Sequence, residues 1–298
     1  MRRFLAAAVV TLSAAASGPA AAQTPDEDMP SMGDLISAAF PKWTDDTDGR
    51  VQTIAESKLT QRWTGDTPSK AKQRKVIVEP TMVLRAAPGR YVLLATMQPA
   101  YDDGTAQWAH GTPAGLAAYT FTTSANGWKL LKRQEPFDLR GYEGAAHLEP
   151  VQLSATVQGV VAEYGSCWQG YCGRWISVYE LGKDGVKPAA IANLALSADN
   201  VYARPDCVER LKSHLPRLTP GDPAGANDPV PPGRCFKIEG RWSIEVSDNA
   251  PGAFVVSFGG ADSGKDGGAA SRIEQSLRYQ WRGARYERSS GSNPVPSL

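Results

Sequence analysis

The chain has 298 residues, 42% hydrophobic and 21% charged, enough apolar material for one large or two ordinary domains. Its 32 basic against 31 acidic residues leave a formal charge of +1, which excludes a nucleic-acid or membrane-surface function driven by bulk charge. The 29 glycines and 22 prolines interrupt the sequence too often for long helices, while short β-branched and aromatic runs abound, so the expected fold class is mostly β.

Residues 1–22 have the parts of a cleavable secretory signal peptide. Arg2 and Arg3 supply the positive start, an apolar stretch runs from Phe4 to Ala16, and small residues lead to Ala20-Ala21-Ala22 before Gln23. That stretch is shorter than the roughly 20 apolar residues a bilayer demands. The expectation is therefore cleavage after Ala22, a periplasmic or secreted protein, and no membrane span. Loss of the two arginines leaves 30 basic against 31 acidic residues, so nothing electrostatic recruits nucleic acid.

Residues 23–75 read as a mobile segment followed by a short helix over Ser31 to Phe40, with Ser31 as cap and Asp34 three residues on. Asp45-Asp46-Thr47-Asp48-Gly49 resembles a calcium loop but puts Ala55 where the bidentate glutamate belongs, with Glu56 one place beyond, and so reads as an acidic turn. Lys70, Lys72, Arg74 and Lys75 read as a solvated face.

Residues 76–288 read as a β-repeat domain. Three segments share one plan of strand, long polar loop, strand, tight turn and strand. In the first, Tyr91 to Thr96 and Leu116 to Thr122 precede Asn126-Gly127 and Trp128 to Lys132; in the second, Val160 to Tyr164 and Arg174 to Leu181 flank CWQGYC, before Lys183-Asp184-Gly185 and Val186 to Ile191. The third runs from Ala253 to Phe258 through GGADSGKDGG to Gln275 to Trp281, Arg282-Gly283 and Arg285 to Arg288. Leading strands at Lys75 to Val78 or Thr81 to Arg85, Val151 to Ala155 and Arg241 to Val246 make three antiparallel four-stranded units, either propeller-blade-like or packed as a sandwich. A helical, proline-rich insertion is expected at 193–234, with a second short helix near Asp206 to His214, and a flexible tail at 289–298.

The stretch LLATMQPAYDDGTAQWAHGTPAGLAAYTFTTSANGWKLLKR followed by CWQGYCGRWISVYEL resembles exported proteobacterial proteins that carry no assigned activity, over about residues 76–191. The resemblance implies export. Where some such relatives carry a Cys-His-Ala-Cys type loop this chain has Gln107-Trp108-Ala109-His110, so no metal or redox role is implied.

Four cysteines, Cys167, Cys172, Cys207 and Cys235, are even in number in a chain read as exported, so disulfides are expected. Cys167 with Cys172 and Cys207 with Cys235 is the preferred pairing, because sequence neighbours meet at the lowest chain-entropy cost. Their spacing fits neither a four-thiolate zinc site nor a two-residue redox motif. No cofactor or metal is expected.

Three histidines, His110, His147 and His214, are scattered, and no Gly-x-Ser-x-Gly elbow is present, so no catalytic residue is assigned. His110 beside Trp108, and His147 with Glu149 and Glu143, are the acid-base candidates. Above them stands a density of loop aromatics, with Trp168, Tyr171, Trp108 and Tyr101 as candidate binding residues and Tyr164 and Trp175 alongside. Such rings stack on sugars or anchor protein partners, and a disulfide-ordered loop binds at lower entropy cost. The expected function is non-enzymatic recognition of a protein or glycan in the envelope. A secreted hydrolase of glycan or cell-wall material and a structural envelope component are the alternatives.

Overall fold

The computed structural model describes residues 29–55, 58, 59, 63, 73–125, 127–214, 233–264 and 267–298. The expected leader at 1–22, the polar stretch Thr24 to Asp28, Lys70 and Lys72, and the proline-rich part of the insertion at 215–232 lie outside these residues.

The described chain is a meander of antiparallel strands in two sheets. The first holds β1 (Val51–Ala55), β2 (Gln73–Ala87), β3 (Arg90–Pro99), β4 (Ala114–Ser124) and β5 (Gly127–Arg140). The second holds β6 (His147–Gln152), β7 (Gln158–Trp168), β8 (Tyr171–Gly182), β9 (Gly185–Asp199), β10 (Phe236–Glu245), β11 (Ala253–Asp262), β12 (Ser271–Trp281) and β13 (Tyr286–Ser290). Within each sheet every strand pairs with its neighbour in sequence. The mostly β class holds. The expected groups of four correspond to β2–β5, β6–β9 and β10–β13, with β1 added to the first.

The second and third groups share one sheet rather than standing as separate blades, because β9 continues past Ile191. Asn193 takes a left-handed φ of 51°, and the strand then resumes with Leu194, Leu196 and Ala198 buried. Ser197, Ala198 and Asp199 pair with Glu239, Ile238 and Lys237 of β10. The insertion therefore leaves the sheet after Asp199, not at 193. Two adjacent candidates, Lys75 to Val78 and Thr81 to Arg85, are one strand, β2, with irregularities near Pro80 and Arg85. The leading strand of the second group ends at Gln152, because the Ser154 hydroxyl accepts from the amides of Thr156 and Val157 and turns the chain.

Alternation along the strands sorts the apolar residues into layers. On β3, Tyr91, Leu93, Ala95 and Met97 face one core with Ala117, Tyr119 and Phe121 of β4. That face is covered by α1 (Met32–Ala39), which buries Leu35, Ile36 and Ala39, and Phe40 meets Tyr119 edge-on at 5.4 Å. Ser31 caps α1 as expected, its hydroxyl accepting from the Asp34 amide at 3.0 Å. The intervening Val92 and Leu94 face the second sheet, meeting Leu148, Val160, Ala162, Tyr179 and Leu181. The two sheets thus stack as a sandwich. The opposite face of β7 and β8, with Val161, Ile176 and Val178, packs against Ile238, Phe254, Val256 and Leu277, so the eight-stranded sheet curls over its own core.

Polar ties lock the sheets in register. Tyr179 on β8 donates to Asp138 of β5 at 2.9 Å, and Arg140 reaches both Asp138 (2.7 Å) and the Ser177 hydroxyl (3.1 Å). Gln134 exchanges two hydrogen bonds with the backbone of Val186.

Two smaller helical pieces sit at the edges. In α2 (Thr47–Arg50), Asp46 accepts from the Gly49 amide at 2.6 Å and Asp45 pairs with Arg50 at 2.7 Å, so the acidic stretch caps a turn. In α3 (Pro205–Leu211) the cap position is Arg204, with no side-chain cap bond, and Asp206 lies inside the first turn. Pro205 opens the helix, a place proline suits because it has no amide to leave unpaired and its φ fits the first helical position. Ser289 and Ser290, expected in a tail, extend β13, and beyond them Asn293 donates to the Ala195 carbonyl while Val295 packs on the second-sheet core.

Candidate functional site

CWQGYC, expected as a loop, is the tip of the β7–β8 hairpin. The ladder runs to Trp168↔Tyr171 and leaves only Gln169 and Gly170 to turn. Both have positive φ, 50° and 82°, the conformation that follows the twist of two-residue hairpins. One pair back, Cys167 and Cys172 face each other with Cα atoms 4.1 Å apart and are joined as a disulfide. The second expected bond, Cys207–Cys235, ties α3 to the start of β10. Asp206 lies beside these two sulfurs, but a disulfide has no thiolate to offer a metal.

Because side chains alternate, the disulfide takes one face of the hairpin, while Tyr164, Ser166 and Trp168 share the other face with Trp175, Gly173 and Tyr171 across the ladder. Ser166, Trp168, Tyr171 and Trp175 of that second face line a cleft of about 560 Å³ with Tyr142 and His110 from the first sheet's loops and with Phe236, Ser297 and Leu298. Trp168 and Tyr171 stand at its mouth, 59% and 42% exposed. Behind them the rings form a continuous series. His110 lies 4.6 Å from Trp168 and 6.1 Å from Tyr142, Tyr142 5.6 Å from Trp175, and Trp175 stacks on Tyr164 at 6.5 Å. Burial raises the Tyr164 phenol's pKa against the opposing effect of the Ser177 hydroxyl, so it stays a neutral donor, here to Asn193. Among the described residues no lysine, arginine, aspartate or glutamate lines the cleft.

Trp108 and Tyr101 are exposed at 65% and 54%, but they do not line the cleft with Trp168 and Tyr171. Their loop contributes His110 instead. The Glu143 amide donates to the His110 carbonyl and the Gly144 amide to the Thr112 carbonyl, stitching the β3–β4 loop to the β5–β6 turn. This turn is sharply folded: Gly141, Glu143 and Gly144 have φ of 86°, 55° and 71°, and a Cβ at Gly141 would lie 2.1 Å from the Ala145 carbonyl oxygen. It aims Glu143 at His110 Nδ1, 3.0 Å away, while His110 Nε2 lies 2.8 Å from the Ser166 hydroxyl. His147 instead opens β6 opposite Glu163, and Glu143 serves His110 rather than joining His147 and Glu149.

Ser166 and Tyr142 belong to no short motif, and Glu143 meets His110 rather than His147 and Glu149. The glycines around Tyr142-Glu143 signalled a turn, but only the folded chain shows which loop it meets. No family model matches the chain, and no curated protein or solved structure is similar to it. Two disulfides suit an oxidising compartment, and among the described residues no helix is long and apolar enough to cross a membrane.

Proposed function

We propose that this is an exported recognition protein, released from the leader at 1–22, that binds a neutral ligand with an apolar face in the cleft beside the β7–β8 hairpin. One observation carries the reading: Trp168 and Tyr171 are held out in solvent at the mouth of an aromatic cleft by a hairpin tip cross-linked at Cys167–Cys172. Large rings left exposed cost solubility and contribute nothing to the core, whereas fixed in place they bind with little loss of freedom. The volume is in the range of small-ligand sites, of the order of 300–1,000 Å³. The absence of ionic lining favours a glycan ring or an acyl or aryl group from envelope material over a charged partner.

Tryptophan fluorescence, titrated with neutral glycan fragments, short aliphatic alcohols and benzyl alcohol, tests this. Trp168→Ala with Tyr171→Ala is expected to keep the wild-type circular dichroism and lose the ligand-induced change by at least tenfold in apparent affinity. An equal response in the double variant, or none in the wild type across the set, overturns the reading.

A further inference from the structure

The cleft contains an arrangement that recognition alone does not require. His110 is engaged at both ring nitrogens, by Glu143 Oε1 at 3.0 Å and by Ser166 Oγ at 2.8 Å. A carboxylate at Nδ1 holds the proton there, which leaves Nε2 as the acceptor facing a hydroxyl. Three residues 33 and 56 positions apart, from a loop, a turn and a strand, thus form the serine–imidazole–carboxylate relay that activates a hydroxyl for attack. The backbone spends strain on it, since Glu143 sits at a φ of 55° that non-glycine residues avoid.

Apolar groups of the chain itself fill the face beside the hydroxyl. Ser166 pairs across the ladder with Gly173, and a Cβ there would come within 2.5 Å of the Trp175 ring and 2.7 Å of Leu298 Cδ1. The side chain of Leu298, 52% exposed, therefore lies in the cleft against Gly173, the cross-strand neighbour of Ser166, where an aliphatic group fits.

We infer that Ser166 is a catalytic nucleophile, with His110 as its base and Glu143 as a positioning residue, and that the cleft hydrolyses neutral carboxylic esters carrying a short aliphatic or aryl group. This rests on reading the cleft as a ligand site. In acylation, Ser166 Oγ bonds to the ester carbonyl carbon as its proton passes to His110 Nε2. The ester C–O bond then breaks and the departing alkoxide takes that proton, leaving as alcohol. In deacylation, water attacks the acyl-serine, gives a proton to Nε2, and the carboxylic acid leaves as Ser166 Oγ recovers it. Ester and water become acid and alcohol, with no other reactant.

The full mature protein is incubated with an alkyl fluorophosphonate and, separately, with p-nitrophenyl acetate, butyrate and octanoate. The expected result is one adduct, mapped to Ser166 by mass spectrometry, and ester turnover that Ser166→Ala abolishes while melting at the wild-type temperature. His110→Gln is expected to slow labelling by about 10²–10⁴-fold. Glu143→Gln should slow it with an altered pH profile, and Glu143→Asp should restore part of the rate, which a merely structural role would not do. Leu298→Gly should raise kcat/KM for the longer esters. No adduct in the wild type, or an adduct that persists in Ser166→Ala, overturns the inference. If the fluorescence titration still responds and depends on Trp168 and Tyr171, recognition stands without catalysis; if neither responds, both readings fall.

Discussion

The two disulfides should differ sharply in what they contribute, and the difference can be worked from the loops they close. Cys207–Cys235 spans 28 positions, and in the chain-entropy model a loop of that size stabilises by about 3.6 kcal/mol. Cys167–Cys172 spans 5, for which the same relation gives at most about 2.2 kcal/mol. The smaller figure falls further because the ladder and the two-residue turn already hold those ends together. The long staple also pins a satellite core, where Cys207, Leu211, Cys235 and Ala261 are fully buried, so its removal costs packing as well. Urea unfolding of C207A/C235A and C167A/C172A beside the wild type measures both. A drop of about 3.6 kcal/mol corresponds to a melting shift of roughly 7–14 °C for a domain of this order, with the hairpin variant losing well under half of that. The hairpin variant should instead show the greater loss of ligand response, because its bond orders Trp168 and Tyr171. Equal destabilisation, or a larger loss for the hairpin, refutes the reasoning.

Three further outcomes follow from single contacts. Tyr179→Phe removes the hydroxyl bonded to Asp138 between the sheets, where both side chains are buried, and should cost about 1.5–3 kcal/mol in chemical denaturation. For Asp262, burial pushes the carboxyl pKa up, but hydrogen bonds from Arg234 and the Gly264 amide, with the Arg234 charge, outweigh it and hold the value below the usual range. A depressed folded value makes the contribution full above about pH 4 and lost as pH falls through the folded value. The melting gap between wild type and Asp262→Asn should therefore close in acid, and a gap unchanged from about pH 7 down to pH 2 would contradict it. Ser31→Ala deletes the cap of α1 and should cost about 1 kcal/mol, read as a lower melting midpoint.

Much of this fold is written locally. Gly127, Gly185 and Gly283 stand at turns with positive φ, and the apolar and aromatic runs before them place β4, β8 and β12. Ser31 with Asp34 announces α1 through neighbours three residues apart, and both cysteine pairings follow from proximity along the chain. What was illegible depends on distance or on a local exception. β9 looked finished at Ile191 because its bulge at Asn193 breaks the alternation, yet pairing with β10 carries it on. Trp108 and Trp168 look alike in sequence, but only Trp168 lines the cleft, because the ladder assigns it a face while Trp108 lies on a loop. The meeting of His110, Glu143 and Ser166 depends on how two loops and a strand of different sheets are stacked, and no short pattern encodes that.

The unbroken meander has a consequence for how the molecule comes into being. Since every strand within a sheet lies beside its predecessor, a chain arriving N-terminus first meets a finished template at each step, and the longest wait is that of β9 for β10, across residues 200–235. Growth by successive hairpins keeps most of the closing loops short, those after β1 and β9 being the long ones. Other contacts reach far along the chain, among them the stacking of one sheet on the other and the closure of Asn293 onto Ala195, 98 positions away. The cleft is walled by residues of both sheets' loops and strands and by Leu298, so it takes shape only once the two sheets have stacked.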